Sequence, residues 1–210
     1  YAPKAAKAGC VVIDNSSLYR YDPDVPMVVP EVNPEAVEQY AQKNIIANPN
    51  CSTAQMVVAL KPLQDRATIK RVVVSTYQAV SGAGKAGIEE LETQVRDMFN
   101  FRESSTDVFG QRIAFNALPC IPGKDAFNDD GTTTEEMKMV DESRKILGLQ
   151  NLRIGVTCVR VPVFSSHAEA VHLELERPLT PEAVRELLSQ EPNLMVIDDP
   201  SKHVYPTPQD

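Results

Sequence analysis

Cys51 is the thiol best placed for chemistry. It follows a Pro49-Asn50 turn and precedes Ser52–Leu60, where dense apolar residues predict a buried helix. A cysteine in the first turn of a helix sits at the positive end of the dipole, among unpaired backbone N–H groups that favour a thiolate. Those N–H groups also suit an oxyanion or a phosphate. The competing reading is a small buried hydrophobe. Cys10 and Cys158 fall in apolar strand segments and read as core, while Cys120 lies in a loop and stays open.

A thiolate nucleophile needs a proton shuttle, and the chain has three histidines. His167 opens a strand with Glu169, Val171, Leu173 and Leu175 on its own face, and reads either as an acid/base group or as a satisfied structural histidine. His172 falls on the opposite, more polar face, and His203 lies near the end of the sequence. Arg160 interrupts the apolar run Val156–Val163, so it must be paired or face a site. Glu135 and Lys138 share one helix face, as a functional pair or as a surface ion pair of about 0–1 kcal/mol. Gly82-Ala83-Gly84-Lys85-Ala86-Gly87 formally matches GxGxxG. The preceding strand ends in Tyr77-Gln78-Ala79 rather than an apolar run, and no second strand ending in Asp or Glu follows at the expected distance. It reads as a loop facing phosphate or cofactor, not as the primary dinucleotide fingerprint.

These residues need a scaffold of alternating strands and helices. Cys10–Asp14, Asn44–Ala47, Ile69–Val80, Leu152–Val163 and Ala168–Glu176 read as strands. Pro34–Lys43 reads as a helix capped by Asn33, and Ser81–Gly87 as a glycine-rich turn. Ile88–Phe99 carries Ile88, Leu91, Val95 and Met98 at helical spacing. Thr132–Leu147 reads as a helix with Thr133 or Thr134 as cap and Glu136 in its first turn, and Thr180–Ser189 as another. Residues 100–131 are irregular. The pattern is α/β or α+β.

Composition narrows the function classes. With 210 residues, 42% hydrophobic and 24% charged, the chain can bury a core. A net charge of −8 argues against nucleic acid or an anionic membrane as the main partner. Four scattered cysteines without a CxxC pair exclude a zinc ribbon and give no disulfide scaffold, so a reducing, cytoplasmic compartment is expected. The sequence opens Tyr1-Ala2-Pro3-Lys4 and closes in a loop, and reads as the interior of a longer protein.

Asn48-Pro49-Asn50-Cys51-Ser52-Thr53, followed by Ser75-Thr76-Tyr77-Gln78-Ala79-Val80-Ser81-Gly82-Ala83-Gly84, closely resembles the aspartate-semialdehyde dehydrogenase family. So do Asp14-Asn15-Ser16-Ser17 with Arg20, Pro26–Asn33, the helix containing Glu135-Glu136-Met137-Lys138, and Arg160 with His167 seven residues on. The resemblance spans essentially the whole chain, in the family's order. It implies Cys51 as the nucleophile forming an acyl-thioester and His167 as the acid/base. Arg160 and Glu135 would hold the substrate's carboxylate and amino group, and Gln78 would orient it. Arg20 and Lys138 would bind phosphate with Asn50 close by, and Ser81 and Gly82 would line the nicotinamide side of NADP. No metal is implied.

The fold implied is α/β. Residues 1–50 would form the rear part of a Rossmann-type nucleotide domain. Residues 51–203 would form a mixed-sheet, α+β catalytic and dimerisation domain of the glyceraldehyde-3-phosphate-dehydrogenase-like type. Residues 204–210 would begin the return to the nucleotide domain. The family's opening glycine-rich NADP loop and its closing segment would lie outside these residues, leaving exposed apolar faces that make the chain sticky or dependent on oligomerisation. A homodimer is what the resemblance implies. The implied reaction interconverts 4-phospho-L-aspartate and L-aspartate 4-semialdehyde, in the biosynthesis of lysine, threonine and methionine, with a small-molecule substrate and phosphate as partners. The alternatives are an N-acyl-glutamyl-phosphate reductase, whose cysteine motif reads more like Gly-Cys-Tyr-Pro, and a non-catalytic fragment or paralogue acting as a binding module. A Cys/His hydrolase ranks third, since it leaves Arg160, Glu135 and Lys138 without a role.

Overall fold

The computed structural model describes residues 1–123 and 126–209. The chain divides into two compact units. The first holds Tyr1–Arg71, Lys138–Arg153 and Glu174–Val196, and the second holds Val72–Met137, Ile154–Leu173 and Ile197–Asp210.

In the first unit, α1 (Ala2–Lys7) leads to β1 (Val12–Asp14), which pairs in parallel with β2 (Ile45–Ala47) in the register Val12 to Ile45. Met27 extends this pairing through a parallel bridge to Ala47. Parallel strands are short apolar runs buried by their surroundings. Here Val25, Met27, Val29, Ile45 and Ala47 form a core with Val57 and Ile146. Each fully buried aliphatic side chain of this kind contributes about 1.5–3 kcal/mol. Pro34–Gln42 is a 3-10 helix, and Asn33 does not cap it. Its side chain instead accepts from Val29 N and donates to Met27 O, fastening the loop that precedes the helix. Cys10 is exposed rather than core, because it lies in the turn between α1 and β1.

Helix α2 (Cys51–Ala67) starts where the sequence places it but runs a further two turns past Leu60. Asn50 caps it, its side chain accepting from Ser52 N at 3.0 Å and Thr53 N at 3.2 Å. Pro62 removes one helical N–H. Burial of Leu63 and Ala67 beyond it outweighs that loss. Helix α5 (Pro181–Ser189), capped by the Thr180 hydroxyl, packs on α2.

Most of the second unit is built on a three-stranded sheet ordered β4 (Arg153–Arg160), β3 (Ile69–Gln78), β5 (Ala168–Leu175). Along β3, Val72, Val74, Thr76 and Gln78 are buried while Val73 and Tyr77 are exposed, as alternation requires. The chain then makes a 3-10 turn over Val80–Ala83 and enters α3 (Gly84–Phe99). The glycine-rich segment is therefore mostly helical and forms no phosphate-cradling loop. Gly87 sits within α3 because a Cβ there would lie 2.7 Å from Val80 O and 2.8 Å from Ala83 Cβ.

Buried Glu90 and Gln94 of α3 secure the irregular segment that follows. Glu90 accepts from Val108 N, and Gln94 accepts from Ile113 N and Ala114 N. Helix α4 (Thr134–Leu147) begins with a reciprocal capping box in which Thr133 N donates to Glu136 Oε2 and Glu136 N donates to Thr133 Oγ1. Among the described residues no helix is long and apolar enough to cross a membrane.

Candidate active site

The predicted site residues fall into two constellations, one in each unit. In the first unit Cys51 is the exposed first residue of α2. The two N–H groups after it are taken up by the Asn50 carboxamide, so they do not form an open oxyanion or phosphate nest. The positive end of the helix dipole still acts on the thiol. Asn50 is itself fixed, its backbone N donating to Glu142 Oε2 at 2.6 Å.

Arg20 lies beside this helix start and is only 7% exposed. Nε donates to Asn48 O at 2.9 Å, Nη1 to Glu142 Oε1 at 3.0 Å and Nη2 to Asn15 O at 3.3 Å. An arginine carries five N–H donors, and these three bonds use three of Arg20's. Burial pushes the Glu142 carboxyl up, while the Asn50 amide, Arg20 and the Lys138 charge pull it back. The cations read from the sequence as phosphate ligands, Arg20 and Lys138, therefore flank one buried carboxylate. Lys145 adds a third contact, its Nζ donating to Arg20 O at 2.7 Å.

In the second unit Gln78 closes β3 on its buried face. Its Oε1 accepts from Thr76 Oγ1 and its Nε2 donates to Glu135 Oε1 at 3.1 Å. Arg160 ends β4 on the same face as buried Cys158, with Nη1 donating to Ala79 O at 2.8 Å and the guanidinium 6.0 Å from the Phe109 ring. One partner of the buried guanidinium is thus a backbone carbonyl. His167 precedes β5, and its Nδ1 accepts from Ala79 N at 2.9 Å. A ring nitrogen that accepts from an amide carries no proton, so the neutral ring holds its proton on Nε2. Burial first, and the Arg160 charge second, lower the His167 pKa, while Glu135 opposes them.

Gly82 lies against these two side chains. A Cβ there would be 2.8 Å from Arg160 Nη1 and 3.4 Å from His167 Nε2. Ser81 N is held by Phe164 O at 3.1 Å. The absence of a side chain at Gly82 therefore lets Arg160 and His167 pack directly against the backbone of this turn.

The remaining thiols are of a different kind. Burial pushes the Cys158 thiol up to about 12, and Cys120 Sγ lies 2.8 Å from Gly123 O. His172 is exposed, as its polar face implies. A groove of about 550 Å³ lined in part by Pro30, Val58, Pro62 and Leu194 holds none of the predicted site residues. Among the described residues no cluster of three or more His, Cys, Asp or Glu is placed to hold a metal.

Two positions escape the sequence reading. Ala79 joins Arg160 and His167 through its own C=O and N–H, which no side-chain motif announces. Glu142 was legible in principle, because Glu135, Lys138, Glu142 and Lys145 recur at i, i+3, i+7 and i+10 along α4.

Residues 60–210 match the dimerisation domain of semialdehyde dehydrogenase, and residues 1–40 match its NAD binding domain. The chain belongs to the semialdehyde dehydrogenase family. An aspartate-semialdehyde dehydrogenase of Aquifex aeolicus is 56% identical over 209 residues, covering 99% of this chain and 61% of that protein. That of Bacillus subtilis is 44% identical, covering 100% and 61%. The chain spans about three-fifths of the length of these relatives. A crystal structure of aspartate semialdehyde dehydrogenase II from Vibrio cholerae, complexed with ASA, superposes with a TM-score of 0.88 at 55% identity, over 91% of this chain and 56% of that one. The Candida albicans enzyme, solved with NADP, superposes at 0.61 with 28% identity, over 89% and 50%.

Proposed function

We propose that the protein containing this chain reductively dephosphorylates 4-phospho-L-aspartate to L-aspartate 4-semialdehyde, with release of phosphate, through an acyl-thioester on Cys51. The observation that carries this reading is the grouping of Gln78, Glu135, Arg160 and His167 about Ala79 and Gly82 in a chain whose relatives bear that name. Residues 1–50 are assigned to the nucleotide domain, 51–203 to the catalytic and dimerisation domain, and 204–210 to the return of the chain.

Cys51 attacks the acyl phosphate, its sulfur forming a C–S bond as the C–O bond to phosphate breaks. Arg20 and Lys138 take up the charge of the departing phosphate. Arg160 recognises the substrate carboxylate and Glu135 its amino group, while Gln78, held between Thr76 and Glu135, orients the substrate. Ser81 and Gly82 would hold NADP, which supplies or accepts the hydride. His167 is the acid/base group. At rest its Nε2–H is a donor for the substrate oxygen on which charge develops. Taking up a proton as base requires Nδ1 to release the Ala79 amide, so the assignment carries a ring movement with it. Homodimerisation and a cytoplasmic location belong to the same reading.

The test is phosphate-dependent reduction of NADP+ by the full-length protein with L-aspartate 4-semialdehyde. Activity that requires phosphate supports the reading. Its absence, or activity only with an N-acyl-glutamate semialdehyde, rejects it.

A further inference from the structure

Glu142 belongs to no motif, yet it is the residue on which the first constellation turns. Its side chain is fully buried, and each of its oxygens has a separate task. Oε1 accepts from Arg20 Nη1 at 3.0 Å, and Oε2 accepts from the backbone N of Asn50 at 2.6 Å. Asn50 in turn caps α2 through Ser52 N and Thr53 N. One carboxylate therefore fixes both the residue preceding Cys51 and the guanidinium read as the phosphate ligand.

Packing alone does not call for a carboxylate here, since an apolar side chain of similar volume is often as stable or more so in such a place. What a carboxylate adds is two acceptors in fixed geometry. It aims Arg20 and gives it a counter-charge. We propose that Glu142 is a positioning residue for the phosphate step, holding Arg20 and the start of the Cys51 helix in mutual register. The proposal rests on the roles assigned above to Cys51 and Arg20.

The test uses the full-length protein as wild type, Glu142→Gln and Glu142→Asp. Inorganic phosphate is varied in the oxidative direction, and in parallel as a protectant of Cys51 against iodoacetamide. Glu142→Gln keeps one acceptor oxygen and turns an amide N–H₂ toward Arg20 or Asn50. Its KM for phosphate is expected to rise about tenfold or more, with a smaller change in kcat and a matching shift of the protection midpoint. Glu142→Asp keeps the charge but is one methylene too short for both partners, and is expected to move the same way.

Unchanged phosphate KM and midpoint in both variants would overturn the proposal. So would tighter phosphate binding in Glu142→Gln, which would make Glu142 only a counter-charge. If neither variant folds, Glu142 is assigned to stability alone and the proposal is overturned. A wild type without phosphate-dependent activity would sink the functional reading instead. The protection midpoint, which needs no turnover, would then judge Glu142 separately.

Discussion

At the scale of single residues, Ala79 and Gly82 matter for what their backbones allow. Gly82→Ala places a methyl 2.8 Å from Arg160 Nη1, the flexible end of a side chain that can shift. The variant is expected to fold with a near-native Tm and to lose about tenfold or more in kcat/KM, or ~1.4 kcal/mol, as Arg160 leaves the Ala79 carbonyl. Steady-state kinetics beside a thermal melt would check this. His167 gives a pH prediction. Its folded pKa lies below the ordinary 6.5, so the folded state binds that proton less readily than the unfolded chain. The stability it contributes is present above about pH 6.5 and is lost as pH falls through the lowered value. His167→Gln should therefore flatten the decline in Tm between about pH 7 and pH 5, and an equally steep decline in the variant would refute the assignment. The thiols also separate: iodoacetamide at neutral pH should label exposed Cys51 and Cys10 and leave Cys158 unlabelled, as peptide mapping would show.

At the scale of elements, the sequence was most readable where local chemistry decides the structure. The Thr133–Glu136 capping box and the Thr180 cap start their helices where side-chain pattern places them. Thr133→Ala should cost about 1 kcal/mol and lower the Tm of the full-length protein, without moving the phosphate KM. The strand read over Ile69–Val80 runs over Ile69–Gln78, and its alternation puts Thr76 and Gln78 on one buried face, with Gln78 beside Glu135. The reading failed where distant packing decides. Helix α2 passes through Pro62 because Leu63 and Ala67 are buried beyond it. Asn33 is spent on Met27 and Val29 instead of capping. The glycines at 82–87 look like a phosphate loop, yet Gly87 is required by the close approach of Val80 O within helical backbone. Glu142 was missed because a single acid on a charged helix resembles a solvated one until its burial is seen.

At the scale of the whole molecule, family membership and the two domain matches give the frame, and the two constellations give the chemistry within it. Phe99, Phe101 and Phe115 are exposed, with Phe99 and Phe115 in edge-to-face contact at 6.1 Å. Sedimentation equilibrium on the full-length protein is expected to give a dimer, and a monodisperse monomer would count against that part of the reading. The central claim is covalent catalysis by Cys51, and trapping the acyl-enzyme tests it most directly. The full-length protein, given L-aspartate 4-semialdehyde and NADP+ without phosphate, should gain the mass of one aspartyl group. Peptide mapping should place that group on Cys51, and added phosphate should release it. An adduct on another residue, or phosphate-dependent turnover that survives in Cys51→Ala, would contradict the account.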